Sequence, residues 1–292
     1  MARIEISMPT TPNFVSSTFT LNRAVGQTKS PFTGHQKVQE YDFVGWSADL
    51  TLPPQLRSTA VNWQAFLARL QGPTHCFMMS DPDAKTPRGT YDASTFLTKA
   101  RTANTSTTLT FSASNKTVTA SNTTFGGSHS GDFIFITGAT NEENNGTKKI
   151  ASITSATVVT VVEDLVDETS GTNTCKVQSN KKGATGITFE ASTNAGTGTV
   201  LVGDYLSIGN TFSTYKQYVM VTEVATEVDL GGSAKNAYAC RIEPKLRADT
   251  GEATVIGFAS AKGLFYLQGN PVERSAGRNS LYNISFSVEE VI

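Results

Sequence analysis

A short β unit occurs twice in this chain, and this repeat limits the folds open to the chain more than any other feature. The first copy is Gly131–Gly138 and the second is Gly203–Gly209. Each begins with a turn-forming Gly-Asp pair, continues as a strand for about five residues and ends on glycine. A β-rich run follows each copy, Lys149–Thr154 after the first and Tyr218–Val224 after the second. The repeat predicts two β modules that share one plan.

Composition favours the same class, a mainly β protein. Of the 292 residues 38% are hydrophobic and 17% charged, and glycine, serine, threonine and asparagine are plentiful, as expected for many strands joined by turns. The length is sufficient to bury a core without disulfides. The net charge is −1 without a basic run, which argues against nucleic-acid recognition.

The chain ends and segment hydropathy bear on localisation. Glu5 and Pro9 interrupt the stretch that a signal peptide would need to be apolar. No segment approaches the roughly 18 apolar residues of a spanning helix, so we expect no membrane insertion. Cys76, Cys175 and Cys240 are odd in number and widely spaced, which predicts reduced thiols rather than a disulfide framework or a zinc site.

One strand and one helix follow from periodicity in the first part of the chain. From Trp46 to Leu52 apolar and polar residues alternate, which indicates a half-buried strand. After Pro53-Pro54 we expect one short α-helix at about 58–71, capped by Ser58 and stopped by Gly72-Pro73. Its apolar stripe is predicted to be core and consists of Trp63, Phe66, Leu67 and Leu70.

A change of composition divides the chain into two predicted domains. Between about 103 and 183 the residues are rich in threonine, serine and asparagine, with β-branched runs such as Ala156–Val162. We interpret 103–183 as an inserted small β domain with polar linkers at 101–106 and 179–183. The remainder, 1–102 plus 184–292, is predicted to form a β-sandwich or β-barrel body, ending in an alternating strand at Tyr282–Val288.

No cluster of residues predicts catalysis or metal binding. His35, His75 and His129 lie far apart without carboxylates or cysteines at ligand spacing. Gly127–Gly131 has His where the nucleophile elbow of a serine hydrolase has Ser, and it precedes a strand rather than a helix. We therefore assign no catalytic, cofactor-binding or metal-binding residue, and expect that the protein is not an enzyme.

Two acidic groups were considered as calcium ligands. Neither the Asp81-Pro82-Asp83 turn nor the later group has the regular ligand spacing of an EF-hand. Solvated turns explain both groups better, and the aspartates of the Gly-Asp pairs are expected to satisfy their own turn backbone. The later group comprises Glu163, Asp164, Asp167 and Glu168.

An ordered series of motifs carries a family resemblance. Its first part runs from Ser30–Gly34 through the Trp46 strand and the helix to Leu70–Gly72 and Phe77. Its second part comprises Gly203–Gly209, Tyr218–Thr222 and Ile242–Arg247. In this order the motifs resemble the distal tail proteins of long-tailed bacteriophages, over residues 1–100 and about 184–292.

The resemblance implies a structural virion protein of the phage tail, made in the host cytoplasm. It implies a homohexameric ring around the tail channel, at the tail tip or baseplate, in contact with the tail-tube protein and the tail-hub protein. A ring needs heterologous side-to-side contacts, which strand edges can supply. Our candidates for those edges are the Arg3–Ser7 and Tyr282–Val288 segments.

Other functions stay open at this point. Tail-tube and other minor tail proteins also use β-barrels in hexameric rings. The 103–183 insert, projecting outward, is either a spacer or a module for host attachment that binds tail fibres or a host-surface glycan. A cell-wall hydrolase would need paired carboxylates or a metal set that the sequence does not offer.

Overall fold

The fold is known from a computed structural model, which describes a large part of the chain. The described residues are 3–89, 96–98, 104–126, 128, 130–178, 180–191, 200–209, 211–223, 226–227, 237–251, 253–259, 261–269, 275–276 and 281–292. The protein is mainly β, as predicted, with a single α-helix among these residues. The chain divides into two compact units, residues 1–85 with 262–292, and residues 86–261.

The elements of the first unit come from both ends of the chain, and those of the second lie between. The α-helix is α1 (Arg57–Leu70), and short 3₁₀ turns occur at Gly72–Thr74 and Glu142–Asn144. In chain order the strands are β1 (Ser16–Lys29), β2 (Gln36–Thr51), β3 (Phe77–Met79), β4 (Phe96–Thr98), β5 (Asn104–Ser112), β6 (Thr117–Ala120), β7 (Phe133–Thr137), β8 (Gly146–Ser155), β9 (Val158–Val161), β10 (Glu168–Gln178), β11 (Gly186–Ala191), β12 (Tyr205–Ile208), β13 (Gln217–Val221), β14 (Thr226–Glu227), β15 (Ala237–Glu243), β16 (Val255–Gly257), β17 (Gly263–Leu267), β18 (Ser275–Ala276), β19 (Tyr282–Asn283) and β20 (Ser285–Glu290).

The first unit is an open, antiparallel, five-stranded sheet with the order β1-β2-β20-β17-β3. Strand β2 alternates as predicted: Trp46, Ala48, Leu50 and the following Leu52 are buried, while Asp49 on the other face is exposed. One face of the sheet therefore lies against a core and the other faces solvent.

Helix α1 supplies much of that core. Trp63, Phe66, Leu67 and Leu70 are all buried, which confirms the predicted stripe. The Trp63 ring lies 5.9 Å from Phe66 and 5.5 Å from Phe14, and its indole N–H donates to the Thr11 carbonyl at 3.1 Å. Edge-to-face aromatic contacts of this kind add to the burial of apolar area, so the stripe anchors the helix.

The ends of α1 differ in detail from the sequence prediction. The N-cap residue is Leu56, without a side-chain hydrogen bond, so the prediction that Ser58 caps the helix is wrong. Ser58 instead lies within the first turn. The helix ends at Leu70, where Gln71 adopts the left-handed conformation at φ 52° and Gly72-Pro73 begins the 3₁₀ turn.

The two segments predicted to supply free edges do not do so. Arg3–Ser7 is not a strand: it is tied by a single parallel bridge between Glu5 and Cys76, and the Ile6 N–H donates to the Cys76 carbonyl at 2.8 Å. The predicted Tyr282–Val288 strand is divided into β19, which pairs with β18, and the first part of β20, which lies between β2 and β17 and so has a strand on each side. Position in the sheet, which depends on distant strands, overturns this part of the prediction.

The second unit contains a closed, six-stranded barrel with the order β10-β5-β6-β9-β8-β7. Its first and last strands, β5 and β10, are antiparallel neighbours, so the chain enters and leaves the barrel side by side. Buried apolar side chains fill the interior, among them Leu109, Phe111, Val118, Phe125, Ile134 and Val159. The strands of this barrel all fall within the predicted 103–183 segment.

The same unit holds a seven-stranded sheet with the order β11-β4-β16-β12-β13-β15-β14. An additional pairing of β11 with β15 joins two strands that are distant in this order, so six of the strands close on one another. Its buried cluster includes Phe96, Phe189, Leu206, Val219 and Ile256. The residues of the predicted body, 1–102 and 184–292, are thus shared between the two compact units.

The two Gly-Asp repeats have the same local structure. The first glycine of each copy has a positive φ, +94° at Gly131 and +89° at Gly203, which favours glycine. In each copy the glycine N–H donates to a residue of the next strand, and that residue's N–H donates back to the aspartate carbonyl. These four bonds, each 2.8 Å, are Gly131 N–H to Ile150, Ile150 N–H to Asp132, Gly203 N–H to Val221, and Val221 N–H to Asp204.

Candidate assembly surface

The hairpin formed by β1 and β2 is longer than the sheet that it belongs to. β20 pairs with β2 only from Ser47 to Thr51. From Gln36 to Phe43, β2 is paired with β1, and no other described strand lies along its second edge. We call β1 from Ala24 together with β2 up to Phe43, and the turn between them, the arm.

Large apolar side chains are exposed along the arm. The exposed fraction reaches 95% for Phe32 at the turn, 56% for Val38 and 52% for Phe43, and Val25 and Tyr41 are also exposed. Single exposed apolar side chains are ordinary, but a run of them on paired strands with an open backbone edge is a site for association.

A bulge separates the arm from the rest of the hairpin. The regular pairing passes from Arg23↔Val44 to Val25↔Glu40, so Tyr41–Phe43 lie opposite Ala24 alone. Bulges of this kind increase the local twist and bend a ribbon. Beyond it Gly26 lies under Tyr41, and a Cβ atom there would come within 3.2 Å of the tyrosine ring. The arm is therefore separated from the rest of the hairpin by a bulge, and it has a packing contact of its own between Tyr41 and Gly26.

Strand β1 is the outermost strand of the sheet. None of its residues is buried, although Phe19 and Leu21 lie opposite the buried Ala48 and Trp46. Within the described part of the chain no strand pairs with the outer edge of β1. About every second residue of β1 thus directs its backbone donor and acceptor to this outer edge, where another strand could add.

A pocket of about 170 Å³ lies where β20 ends beside β2. Its walls include Phe43 and Trp46 of β2, Tyr266 of β17, and Glu289 and Glu290 of β20. The Glu290 side chain is buried, and it accepts a hydrogen bond from the Trp46 backbone N–H at 3.3 Å. The Glu290 carboxylate thus occupies the position in which a backbone carbonyl of the adjacent strand would accept a hydrogen bond from the Trp46 N–H.

Charged and aromatic groups meet at the rim of this pocket. The Arg3 guanidinium lies over the Tyr266 ring, 5.2 Å from its centre. The Tyr266 hydroxyl donates to Glu289 Oε2 at 2.7 Å, and Gln268 donates to Glu289 Oε1 at 3.2 Å. The hydrogen bond to Glu289 is the main cause that raises the pKa of Tyr266, with burial adding to it and Arg3 opposing it. The rim thus carries the Glu289 carboxylate and the Arg3 guanidinium, while the Glu290 carboxylate is buried in the wall.

Two of the three histidines lie in the described part of the chain, and they belong to different elements. His35 is exposed at the base of the arm's turn and His75 precedes β3, while Gly127 and His129 lie outside the described residues. All three cysteines are free and buried. Burial raises the pKa of Cys175 to about 12 and also raises that of Cys76, which keeps these thiols protonated.

The acidic groups do not converge on a common point. Each carboxylate of the later group serves a different part of the barrel: Glu163 accepts from Lys149 N–H, Asp164 pairs with Lys116, Asp167 accepts from Ala113 N–H, and Glu168 accepts from Thr140 and Asn141. Asp81 accepts from the Asp83 N–H within its own turn. In the described residues no group of three or more His, Cys, Asp and Glu side chains could hold a metal ion.

Glu168 has the most perturbed of these carboxyls. Desolvation would raise its pKa, but hydrogen bonds from the Asn141 and Thr140 N–H groups and from the Asn144 amide together lower the pKa to about 2. The carboxylate therefore clamps the 139–145 loop to the start of β10. Its role in the barrel is architectural.

The aspartates of the two repeats are both buried but differ in their partners. Asp204 accepts from the Leu201 N–H at 2.8 Å, which confirms the predicted bond within its own turn, and it also accepts from the Arg88 N–H at 2.7 Å. The Asp132 carboxylate packs against Gly186, where an added Cβ would lie 2.5 Å from its oxygen. No pattern in the sequence indicated either of these long-range contacts.

Comparison with known proteins adds no relative. No protein-family model matches the chain, and a search of curated proteins found none that is similar. None of the described helices is long and apolar enough to cross a membrane.

Proposed function

We propose that this protein is a structural subunit of a bacteriophage tail, a distal tail protein. Copies of it form a homohexameric ring that joins the tail tube to the tail-tip hub. The observation that carries the proposal is the arm: a hairpin extending past its sheet, with an open β2 edge from Gln36 to Phe43 in the described part of the chain and apolar side chains exposed on it.

The arm supports assembly because it has no role in the core of its own unit. Its residues from Val25 to Lys29 and from Gln36 to Tyr41 include none that is buried. Ordering a long hairpin costs conformational entropy, which contacts with a partner can offset. The open edge of β2 and the outer edge of β1 lie on opposite sides of the hairpin, so pairing one of them with the other in a second copy is a heterologous contact, and such contacts close into rings when the rotation permits.

The ordered motif series supports the choice of a tail protein among ring-forming proteins. Ser30–Gly34 of that series forms the turn of the arm, and the Trp46 motif forms its base. A tail-tube or other minor tail protein would use the same arm, so the position of the ring in the particle separates these alternatives. The proposed partners are the tube protein on one side and the hub protein on the other.

The experiment is to determine the mass of the purified full chain by native mass spectrometry and to image it by electron microscopy. We expect closed rings of six. Labelling with an antibody should place the ring at the junction of tube and tip in phage particles. A protein that stays monomeric at high concentration, or a label along the whole tube, would contradict the proposal.

One observation keeps glycan binding as a second candidate for the barrel. Phe135 on β7 is 37% exposed, the residues opposite it on the neighbouring strands are Thr147 and Lys176, and an exposed ring is what a sugar stacks on. Because the barrel interior is filled, a sugar would bind on the outer surface or loops. A glycan array with the full chain tests glycan binding. A glycan that binds the wild type and not Phe135→Ala would support this candidate function, and the absence of binding to every glycan on the array would contradict it.

A further inference from the structure

We propose that the pocket beside the end of β20 receives the tip of the arm of a second copy of this chain. The Phe32 ring enters the pocket and the lysines of the tip approach Glu289. This inference deepens the proposed ring, and it rests on that proposal for the claim that copies of the chain associate.

The tip of the arm presents one exposed aromatic side chain on a hydrogen-bonded turn. Phe32 is 95% exposed, more than any other large apolar side chain among the described residues. The turn that presents it is closed by two backbone bonds, from the Ser30 N–H to the His35 carbonyl at 2.9 Å and from the Gly34 N–H to the Ser30 carbonyl at 3.0 Å. A preformed turn lowers the entropy that is lost when its side chain is buried.

The pocket has the size and the walls for a phenyl ring. Its volume is about 170 Å³, somewhat more than the roughly 150 Å³ that holds a benzene ring in an enclosed cavity of another protein, although this pocket is open and part of its lining is polar. Phe43, Trp46 and Tyr266 offer aromatic surface, to which a further ring can pack edge to face. Gly45 adds no side chain to the wall.

Charge is complementary between tip and pocket. The segment Lys29–Lys37 contains two lysines and His35 but no acidic residue. Among the residues that line the pocket, Glu289 is partly exposed, Glu290 is buried in the wall, and the one cation is Arg3, whose guanidinium lies over Tyr266. The lining therefore has an excess of negative charge, and complementary charges favour encounter and register.

The tip cannot enter the pocket of its own chain. Strand pairing runs without interruption from Val25↔Glu40 to Lys29↔Gln36, which holds the arm extended. Lys29 lies seven residues beyond Asn22 at the pocket rim, which is about 23 Å in a strand. The occupant is therefore a neighbouring molecule, and the contact joins two different surfaces of one chain.

Cysteine cross-linking between two differently tagged chains tests this contact directly. One chain carries Thr33→Cys beside Phe32, and the other carries Asn22→Cys at the pocket rim. After mixing and oxidation we expect a disulfide-linked mixed pair. The control pairs Thr33→Cys with Ser155→Cys, an exposed position on the barrel, and should give roughly a tenth of that yield or less. The native cysteines are buried and should not interfere.

Charge reversal tests the attraction between the lysines of the tip and Glu289. A misfolded variant would not regain association when the second reversal is added, so rescue by the double variant is specific to this contact. Lys37→Glu and Glu289→Lys should each weaken self-association about tenfold or more in sedimentation experiments, and the two together should restore it to within about threefold. Phe32→Ala should also weaken it at least about tenfold. Lys85→Glu, at an exposed position away from the pocket lining, is the matched control and should have no effect.

The outcomes separate this inference from the ring itself. Closed rings without the Thr33–Asn22 cross-link, or a double reversal without rescue, would overturn the pocket contact and leave the ring standing. The specific cross-link in a dimer or an open filament would support the pocket contact and overturn the ring. A chain that never associates would overturn both.

Discussion

The β5–β10 barrel and the five-stranded sheet of the first unit consist of similar antiparallel strands, but they differ in what happens at their edges. Every barrel strand has a strand on each side, because β10 pairs with both β5 and β7. The sheet leaves the outer edge of β1 and half of β2 without a strand in the described part of the chain. Closure removes the sites at which another chain can add, so the open sheet is where assembly is to be sought.

The two regions also bury their cores differently. The barrel encloses its apolar side chains within its own strands. The sheet covers one face with α1, whose Trp63 touches Phe14, Phe66 and Phe286. The sheet should therefore depend on a few large contacts, whereas the barrel should be insensitive to changes on its outer surface.

The largest effect is expected for Trp63→Ala. It removes a fully buried indole and its hydrogen bond to Thr11, and should lower the free energy of unfolding by about 3–5 kcal/mol. Urea unfolding measures the loss, and amide exchange should show that barrel protection is kept. Val61→Ala, an exposed position on the same helix, should stay within about 0.5 kcal/mol. A neutral result for Trp63→Ala would contradict the placement of the helix.

The next effect concerns association. Val38→Asp with Phe43→Asp places two charges on the arm and should weaken self-association on the order of hundredfold, about 3 kcal/mol, because two apolar side chains lose their burial. The matched control is Val162→Asp with Ile153→Asp, two exposed residues of the barrel. Analytical ultracentrifugation compares them, and equal effects would erase the distinction between barrel and arm.

A smaller effect should separate two glycines with positive φ. Gly209 ends the second repeat at φ +75°, and an added Cβ would lie 1.9 Å from the Thr214 carbonyl oxygen. Gly146 begins β8 of the barrel at φ +93° with open space around it. Gly209→Ala should cost about 1–3 kcal/mol more than Gly146→Ala, because only the former adds a backbone clash to the strain. Thermal unfolding of the two variants checks the order.

The smallest effect is expected from the Glu168 clamp in the barrel. Its folded pKa of about 2 lies below the usual 4.5, so its stabilisation is present above about pH 4.5 and is lost as the pH falls towards 2. Glu168→Gln should make the urea midpoint less dependent on pH between about pH 6 and pH 3. Asp164→Asn, in an exposed ion pair with Lys116, should change the profile less. Equal slopes for Glu168→Gln and wild type would contradict the clamp.

The sequence predicted those elements that bury one face. The Trp46–Leu52 alternation and the Trp63 stripe each record a side that faces the core, and both were found where expected. The sequence of the arm has no such pattern. Because neither face of its strands is buried, Val25–Lys29 and Gln36–Tyr41 carry no regular apolar period, and sequence reasoning did not predict β1.

Partners and edges could not be predicted because they are properties of the whole sheet. Whether β20 is an edge depends on β2 and β17, which lie hundreds of residues and tens of residues away in the chain. The Glu289–Tyr266 bond and the Asp204–Arg88 bond likewise join distant segments. The error over the Ser58 cap is different, because a cap is a local signal. The helix begins at Arg57, one residue before Ser58, and Leu56 occupies the N-cap position.

The neighbouring positions of β5 and β10 have a practical consequence. Because the chain departs from and returns to adjacent strands, a foreign domain whose termini are equally close can replace residues 104–178, provided that it also covers the part of the seven-stranded sheet that Asp132 and Phe133 contact. The fold thus provides a site at which a foreign domain can be inserted. An enzyme or fluorescent reporter grafted there would be carried by whatever larger structure the rest of the chain builds.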